Sequence, residues 1–136
     1  MSYLQEAIDI ETLFSTEWAL AQPNIPIEFD NSDYDPETGV PYVTLTVISG
    51  TAFQACLGKA TNTYRHNGLI IVQIHCPVDE GSAVARGLAD TAAQIFRTRH
   101  INSGIVTRTP DFDRVGRNGA YYQINVLVPF WRDTIF

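Results

Sequence analysis

From Tyr42 onward the chain changes character at every second residue. Val43, Leu45 and Val47 fall on one side, and Tyr42, Thr44, Thr46 and Ile48 on the other. That alternation predicts a strand with one face turned to a core. The same period returns in LIIVQIHC, where Ile70, Val72, Ile74 and Cys76 form a wholly apolar face opposite Leu69, Ile71, Gln73 and His75. It returns again in AYYQINVLVPF, where Tyr122, Ile124, Val126, Val128 and Phe130 oppose Tyr121, Gln123, Asn125 and Leu127.

Two other stretches repeat every three or four residues and predict helices. In the first, Leu4, Ile8 and Leu13 with Ala7 and Phe14 make a stripe ending near Trp18, behind Ser2 and Gln5, which resemble a capping box. In the second, Val84, Leu88, Ala92 and Ile95 make the stripe, with Asp79 and Glu80 before it and Arg97, Arg99 and His100 after it. Acids at the start and bases at the finish suit the helix dipole.

Between these elements, IPIEF is short and apolar, and DNSDYDPETG reads as an exposed loop. A second extended segment is expected around Thr51–Leu57, with Gly58 through Asn67 as loop. Ile105 to Thr107 is a short β-branched run, and TPDFDRVGRNG reads as loop with Asn118-Gly119 as a turn. The order is α-β-β-β-α-β-β.

The expected fold is α+β, one domain over residues 1–136. A small, mostly antiparallel or mixed sheet carries two helices on its apolar face. Its other face bears Thr44, Thr46, Gln73, His75, Gln123 and Asn125. Polar but almost uncharged, such a face suits subunit packing or a narrow lumen.

Composition sharpens this picture. With 136 residues, 45% of them hydrophobic and 18% charged, the core is well supplied and the surface is poor in charge. The net charge of -6, with Lys59 as the sole lysine, argues against a module that binds duplex DNA, which needs clustered cations for the phosphates. The N-terminus lacks the basic flank and apolar stretch of a signal peptide, and no window suits a membrane span, so a soluble intracellular product is expected. Cys56 and Cys76 lack CxxC spacing and predict reduced, largely buried thiols.

No reactive constellation stands out. His75 and Cys76, adjacent in a strand, leave opposite faces and cannot readily share a metal. His66 sits in an expected loop and His100 at a helix end. Glu28, Asp30, Asp33, Asp35 and Glu37 are rich in oxygen, but an EF-hand loop starting at Asp33 would put Thr38 where glycine belongs and Thr44 where glutamate belongs. No GxSxG elbow appears, and helix capping accounts for Ser82. VGRNG, flanked by Arg114 and Arg117, lacks the strand-to-helix setting of a phosphate loop, and PVDEG puts carboxylates where such a loop would receive an anion. No catalytic, cofactor-binding or metal-binding residue is assigned.

Several segments in order resemble a known family. A first helix leads to QPNIPIEFDN and a strand opened by Tyr42. Arg65, Gly68 and Val72–Ile74 precede Pro77 and Gly81, Leu88-Ala89-Asp90 and Phe96 mark the second helix, and Val128–Phe130 close the last strand. This set resembles the tail terminator proteins of long-tailed bacteriophages.

The resemblance implies a structural, non-enzymatic protein without a cofactor. It would form a homo-oligomeric ring, commonly a hexamer, that caps the tail tube and joins it to the head. The implied partners are the tail tube protein and a head-side connector, with DNA passing through the lumen unbound and no membrane involved. The implied location is the virion, at the neck or head-proximal end of the tail, and the host cytoplasm during assembly.

The candidate contact residues are Asp33, Asp35 and Glu37 in the acidic loop, Arg114 and Arg117, and the aromatic C-terminal pair Trp131 and Phe136. Trp131 and Phe136 would equally serve to close the domain's own core. Two other readings remain open: another neck or adaptor subunit, and a small monomeric enzyme or ligand-binding domain with a pocket beside His75, Gln73 and Tyr121.

Overall fold

In the computed structural model, which describes residues 3–30, 39–56, 63–78, 82–97, 99–101 and 104–135, the chain runs in the order α1 (Tyr3–Ala21), β1 (Ile27–Phe29), β2 (Tyr42–Cys56), β3 (Thr63–Pro77), α2 (Ala83–Phe96), β4 (His100–Ile101), β5 (Ile105–Thr107), β6 (Asp111–Asn118) and β7 (Tyr121–Ile135). The strands form one seven-stranded sheet. Its frame is β2, β3 and β7, three antiparallel strands of 15 residues each. β1 adds to β2 in parallel, opposite Val43–Leu45. The far edge of β7 is shared, with β6 laddered along Tyr121–Leu127 and β5 along Phe130–Arg132. β4 lies outside β5.

The fold is α+β, as the periodicities predict, but the sheet is more extensive than expected. Thr63–Asn67, expected in a loop, begins β3. Most of TPDFDRVGRNG, also read as loop, is β6. Its alternation is real at first, Asp111 and Asp113 against Phe112 and Arg114, but a register shift between Arg114 and Gly116 interrupts it. Gly116 there has a positive φ of 88°, the conformation that lets a chain bulge. Gly119, φ 65°, makes the expected turn into β7.

One face of the sheet holds the core. Val43, Leu45, Ile70, Val72, Ile74, Cys76, Ile124, Val126, Val128 and Phe130 are all buried there, in the predicted alternation. α2 lies on this face through Ala85, Leu88, Ala89, Ala92, Ala93, Ile95 and Phe96, and its alanines let the helix approach closely. Val84, expected in that stripe, is exposed and Ala85 takes its place. Arg99 donates to the Ile95 carbonyl at 3.0 Å, so a base does serve the end of the helix.

α1 departs further from expectation. Its buried residues are Glu6, Asp9, Ile10, Phe14 and Trp18, whereas Leu4 and Ile8 are exposed. Phe14 stacks on Trp18 with ring centroids 5.3 Å apart and on Phe96 at 5.6 Å. The Trp18 indole N–H donates to the Ile25 carbonyl at 3.1 Å, leaving no buried donor unmet on that ring.

At the start of this stripe, Glu6 is 1% exposed and Arg132 4%. Arg132 Nε donates to Glu6 Oε1 at 2.7 Å, and the Ser49 hydroxyl donates to Glu6 Oε2 at 2.7 Å. One carboxylate thus joins α1 to β2 and β7. Asp9, also buried, accepts from the Gln5 amide at 2.7 Å.

Two outcomes follow from this packing. Arg132→Met, which leaves the buried Glu6 charge without its cation and still accepting from the Ser49 hydroxyl, should lower stability to urea by about 3–5 kcal/mol, and adding Glu6→Leu should recover most of the loss. An Arg132→Met cost no larger than that of an exposed substitution would contradict the buried pair. At Gly68, an added Cβ would lie 2.3 Å from Phe130 Cζ and 2.8 Å from the Ile48 carbonyl oxygen. Gly68→Ala should therefore cost about 1–3 kcal/mol by overpacking, and Phe130→Leu in the same chain should restore part of it.

Candidate interaction surface

The sheet face opposite the helices has no described element packed on it, and its residues are set by the two long ladders. Tyr42, His75 and Gln123 form one cross-strand row, then Thr44, Gln73 and Asn125, then Thr46, Ile71 and Leu127, then Ile48, Leu69 and Pro129. Gln123 is buried and Ile48 exposed, while the others are half-buried. No formal charge occurs in these four rows at neutral pH. Burial pushes the pKa of His75, in the first of these rows, below the ordinary histidine value, which keeps the ring neutral.

His75 is also held in place. Its ring stacks on Tyr42 with centroids 4.4 Å apart and meets the edge of Tyr121 at 6.2 Å. Thr44 Oγ1 lies 3.4 Å from His75 Nε2 and 3.4 Å from Glu28 Oε2. The carboxylate thus reaches the hydroxyl rather than the imidazole. A nucleophile-base pair needs its acid on the base, so this line of contacts lacks the order of a catalytic triad. Gln73, His75 and Tyr121 lie along the sheet, and the concavities beside α2 and α1 are lined by other residues.

Beyond these rows charge enters at two margins, and at the far end of the face with the Arg65–Asp133 pair. Glu28 of β1 is in register with Thr44, and Asp113 of β6 with Asn125, so a single row runs Glu28, Thr44, Gln73, Asn125, Asp113 across five strands. Asp111 stands beside it, in register with Leu127. β6 also sorts its charges. Asp111 and Asp113 share the open face, whereas Arg114 and Arg117, paired with Ile124 and Tyr122, share the helix side. There Arg114 Nε donates to the Tyr122 hydroxyl at 3.1 Å, and a shallow groove between α2 and β6 is lined by Arg86, Asp90, Phe112 and Arg114.

Trp131 stands at the other end of the open face, half-buried, in register with Asn67. The Arg65 guanidinium lies 3.9 Å from its ring centroid and grips Asp133 through Nε at 2.9 Å and Nη2 at 3.1 Å. That hydrogen-bonded carboxylate raises the Arg65 pKa further, so the cation over the indole is permanent. Trp131 is therefore clamped on the sheet surface, while Phe130 beside it closes the core.

Of the candidate contact residues, Arg114 and Arg117 lie on the helix side and Trp131 on the open side, so the fold does not gather them into one patch. Asp33, Asp35, Glu37 and Phe136 lie outside the described residues, as do Asp79 and Glu80. Sequence reasoning missed the acids of the sheet margin, Asp111 and Asp113, because it placed them in a loop. Their alternation with Phe112 and Arg114 was the available signal. Among the described residues no three His, Cys, Asp or Glu side chains gather to hold a metal, and no helix is long and apolar enough to cross a membrane.

Comparison with known proteins adds to this geometry. No curated protein matches the sequence. Thirteen chains of solved structures match. One, a protein described only by a sequence identifier, superposes with a TM-score of 0.65 at 17% identity and covers 93% of this chain and 94% of its own. A likeness at that identity establishes the fold. A family model described as phage tail terminator protein matches residues 9–130. With most of its length inside that match, the chain belongs to the phage tail terminator family.

Proposed function

We propose that this chain terminates the tail of a long-tailed phage by assembling as a homo-oligomeric ring, a hexamer in the form expected, that caps the tail tube and receives the head-side connector. The reading places the protein in the virion, at the neck or head-proximal end of the tail, after assembly in the host cytoplasm. It assigns no catalysis and no cofactor. Its work is geometric: a heterologous contact repeated about an axis closes a ring, and one face of the ring docks on the last layer of the tube.

The observation that carries this reading is the family match over residues 9–130. The charge layout supports the part played by the open sheet face. In the ring we propose, that face lines the channel. Its four neutral rows offer phosphate no cation, Arg65 at their far end is already engaged by Asp133, and Glu28, Asp111 and Asp113 at the margins repel phosphate, so DNA passes without sticking.

Tails assembled without this protein should be overlong or unjoined in negative-stain images. Tails of normal length that only fail to join would indicate an adaptor instead. For the channel, the wild-type chain should show no binding to a short duplex at moderate salt. The triple change of Glu28, Asp111 and Asp113 to Lys should create binding that weakens steeply as salt rises. Tight duplex binding by the wild type would rule out the open, repelling channel.

A further inference from the structure

The two edges of the frame are unfinished. β1 covers β2 only opposite Val43–Leu45, so from Thr46 onward no described strand pairs with the outer edge of β2. The segment Thr46–Phe53 reads TVISGTAF, without a charge or a proline. Solitary edge strands are normally protected by lysine, proline or an inward charge, because their open backbone groups recruit another strand. This one has no such residue, its one irregularity being the bulge between Ser49 and Ala52, and it exposes Ile48 at 46% and Phe53 at 49%. Across the sheet, β6 forms the other edge along Tyr121–Leu127, with no described strand beyond it and with Phe112 and Val115 exposed.

We propose that the Thr46–Phe53 edge of one copy pairs with β6 of the next, so that the sheet continues from subunit to subunit. This deepens the ring reading and rests on it.

Strand direction favours the join. β2, β3, β7 and β6 are each antiparallel to the strand before. A copy placed head to tail therefore brings its β2 antiparallel to the neighbour's β6, and the alternation runs on unbroken. The contact is heterologous, using two different edges, which is the kind that closes into a ring.

The levels fit as well. β6 stands level with the start of β2, since Leu127 and Tyr121 are linked through Ile71 and Pro77 to the Tyr42–Thr46 end. The free part of β2 lies toward the opposite end. Joining the two shifts each copy along the strands, and a closed sheet requires such a stagger because its strands tilt to the axis. Charge presents no obstacle, because Asp111, Asp113 and Arg114 meet an uncharged strip.

The test uses the full chain. Ile48→Lys with Phe53→Lys puts two charges on the exposed edge, and circular dichroism reports whether the fold survives. At concentrations where native mass spectrometry finds the wild type assembled, the double variant should be monomeric, with association weakened about tenfold or more. Equal assembly of the variant overturns the edge contact and leaves the ring standing. A wild type that stays monomeric at every concentration overturns both.

Cross-linking tests the partner strand without relying on that variant. In a Cys56→Ser background, a chain carrying Ala52→Cys and a second carrying Val115→Cys should form a disulfide-linked pair on oxidation when mixed. Neither should do so alone. Linkage of the Ala52→Cys chain to itself would show β2 pairing with β2, and failure of the mixed pair would remove β6; either result overturns the proposal.

Discussion

The buried stripe Glu6, Ile10, Phe14 and Trp18, tied at its start by the Glu6–Arg132 ion pair, fixes how the first helix lies on the sheet, and much of the surface follows from that. α1 carries two competing stripes. Leu4 and Ile8 lie on one side, and two residues further along, Glu6, Ile10, Phe14 and Trp18 lie on nearly the opposite side. Counted by apolarity near the N-terminus, the first stripe is the better candidate for burial. The structure buries the second: Ile10, Phe14 and Trp18 enter the core, and Arg132 on β7 and Ser49 on β2 answer the Glu6 carboxylate. Replacing such a pair by apolar groups need not weaken a fold, but leaving one partner unanswered does. The pair is satisfied only in the observed helix phase. That phase leaves Tyr3, Leu4 and Ile8 on the outside.

How much of this was legible depends on the distance over which each determinant acts. The core faces of β2, β3 and β7 could be read residue by residue because period-two burial is a local pattern, and Val43, Ile70, Val72, Ile74, Val126 and Val128 all fall where it puts them. β6 was lost because its Gly116 bulge and alternating charges resemble a loop. Thr63–Asn67 was lost because His66, Asn67 and Gly68 carry no apolar alternation, although Gly68 is required beneath the Phe130 ring. Long-range partners were out of reach. Glu6 with Arg132, and Arg65 with Asp133 under Trp131, depend on a register between segments far apart in the chain. The four-residue spacing of Glu6, Ile10, Phe14 and Trp18 was the one local hint.

The same register explains why a face with histidine, threonine and carboxylate side chains is not arranged for reaction. Strand pairing sets Glu28, Thr44, Gln73, Asn125 and Asp113 in line across the sheet, where acids can only end the row. His75, one row away, is packed between Tyr42 and Tyr121, and its lowered pKa removes its charge near neutrality. Apart from Arg65, which Asp133 and Trp131 engage, the face has neutral rows and acidic margins, as the channel role proposed for it requires. This links the acidic composition of the chain to the place of the charges rather than to their number.

The irregularities of the sheet have a consistent distribution. β3 and β7 pair through 15 residues without a register shift. The shifts fall between Ser49 and Ala52 and between Gln54 and Cys56 on β2, and between Arg114 and Gly116 on β6. Bulges bend a strand and increase its local twist. The middle of the sheet is thus a regular, core-backed panel, and curvature is concentrated toward the two edges that the proposed ring would join. A flat panel could stack on another, but closing a circle requires each unit to turn its edges. In the proposed ring the bulge that hid β6 from sequence reading would serve that turn: a perfectly alternating strand is easier to recognise and harder to curve.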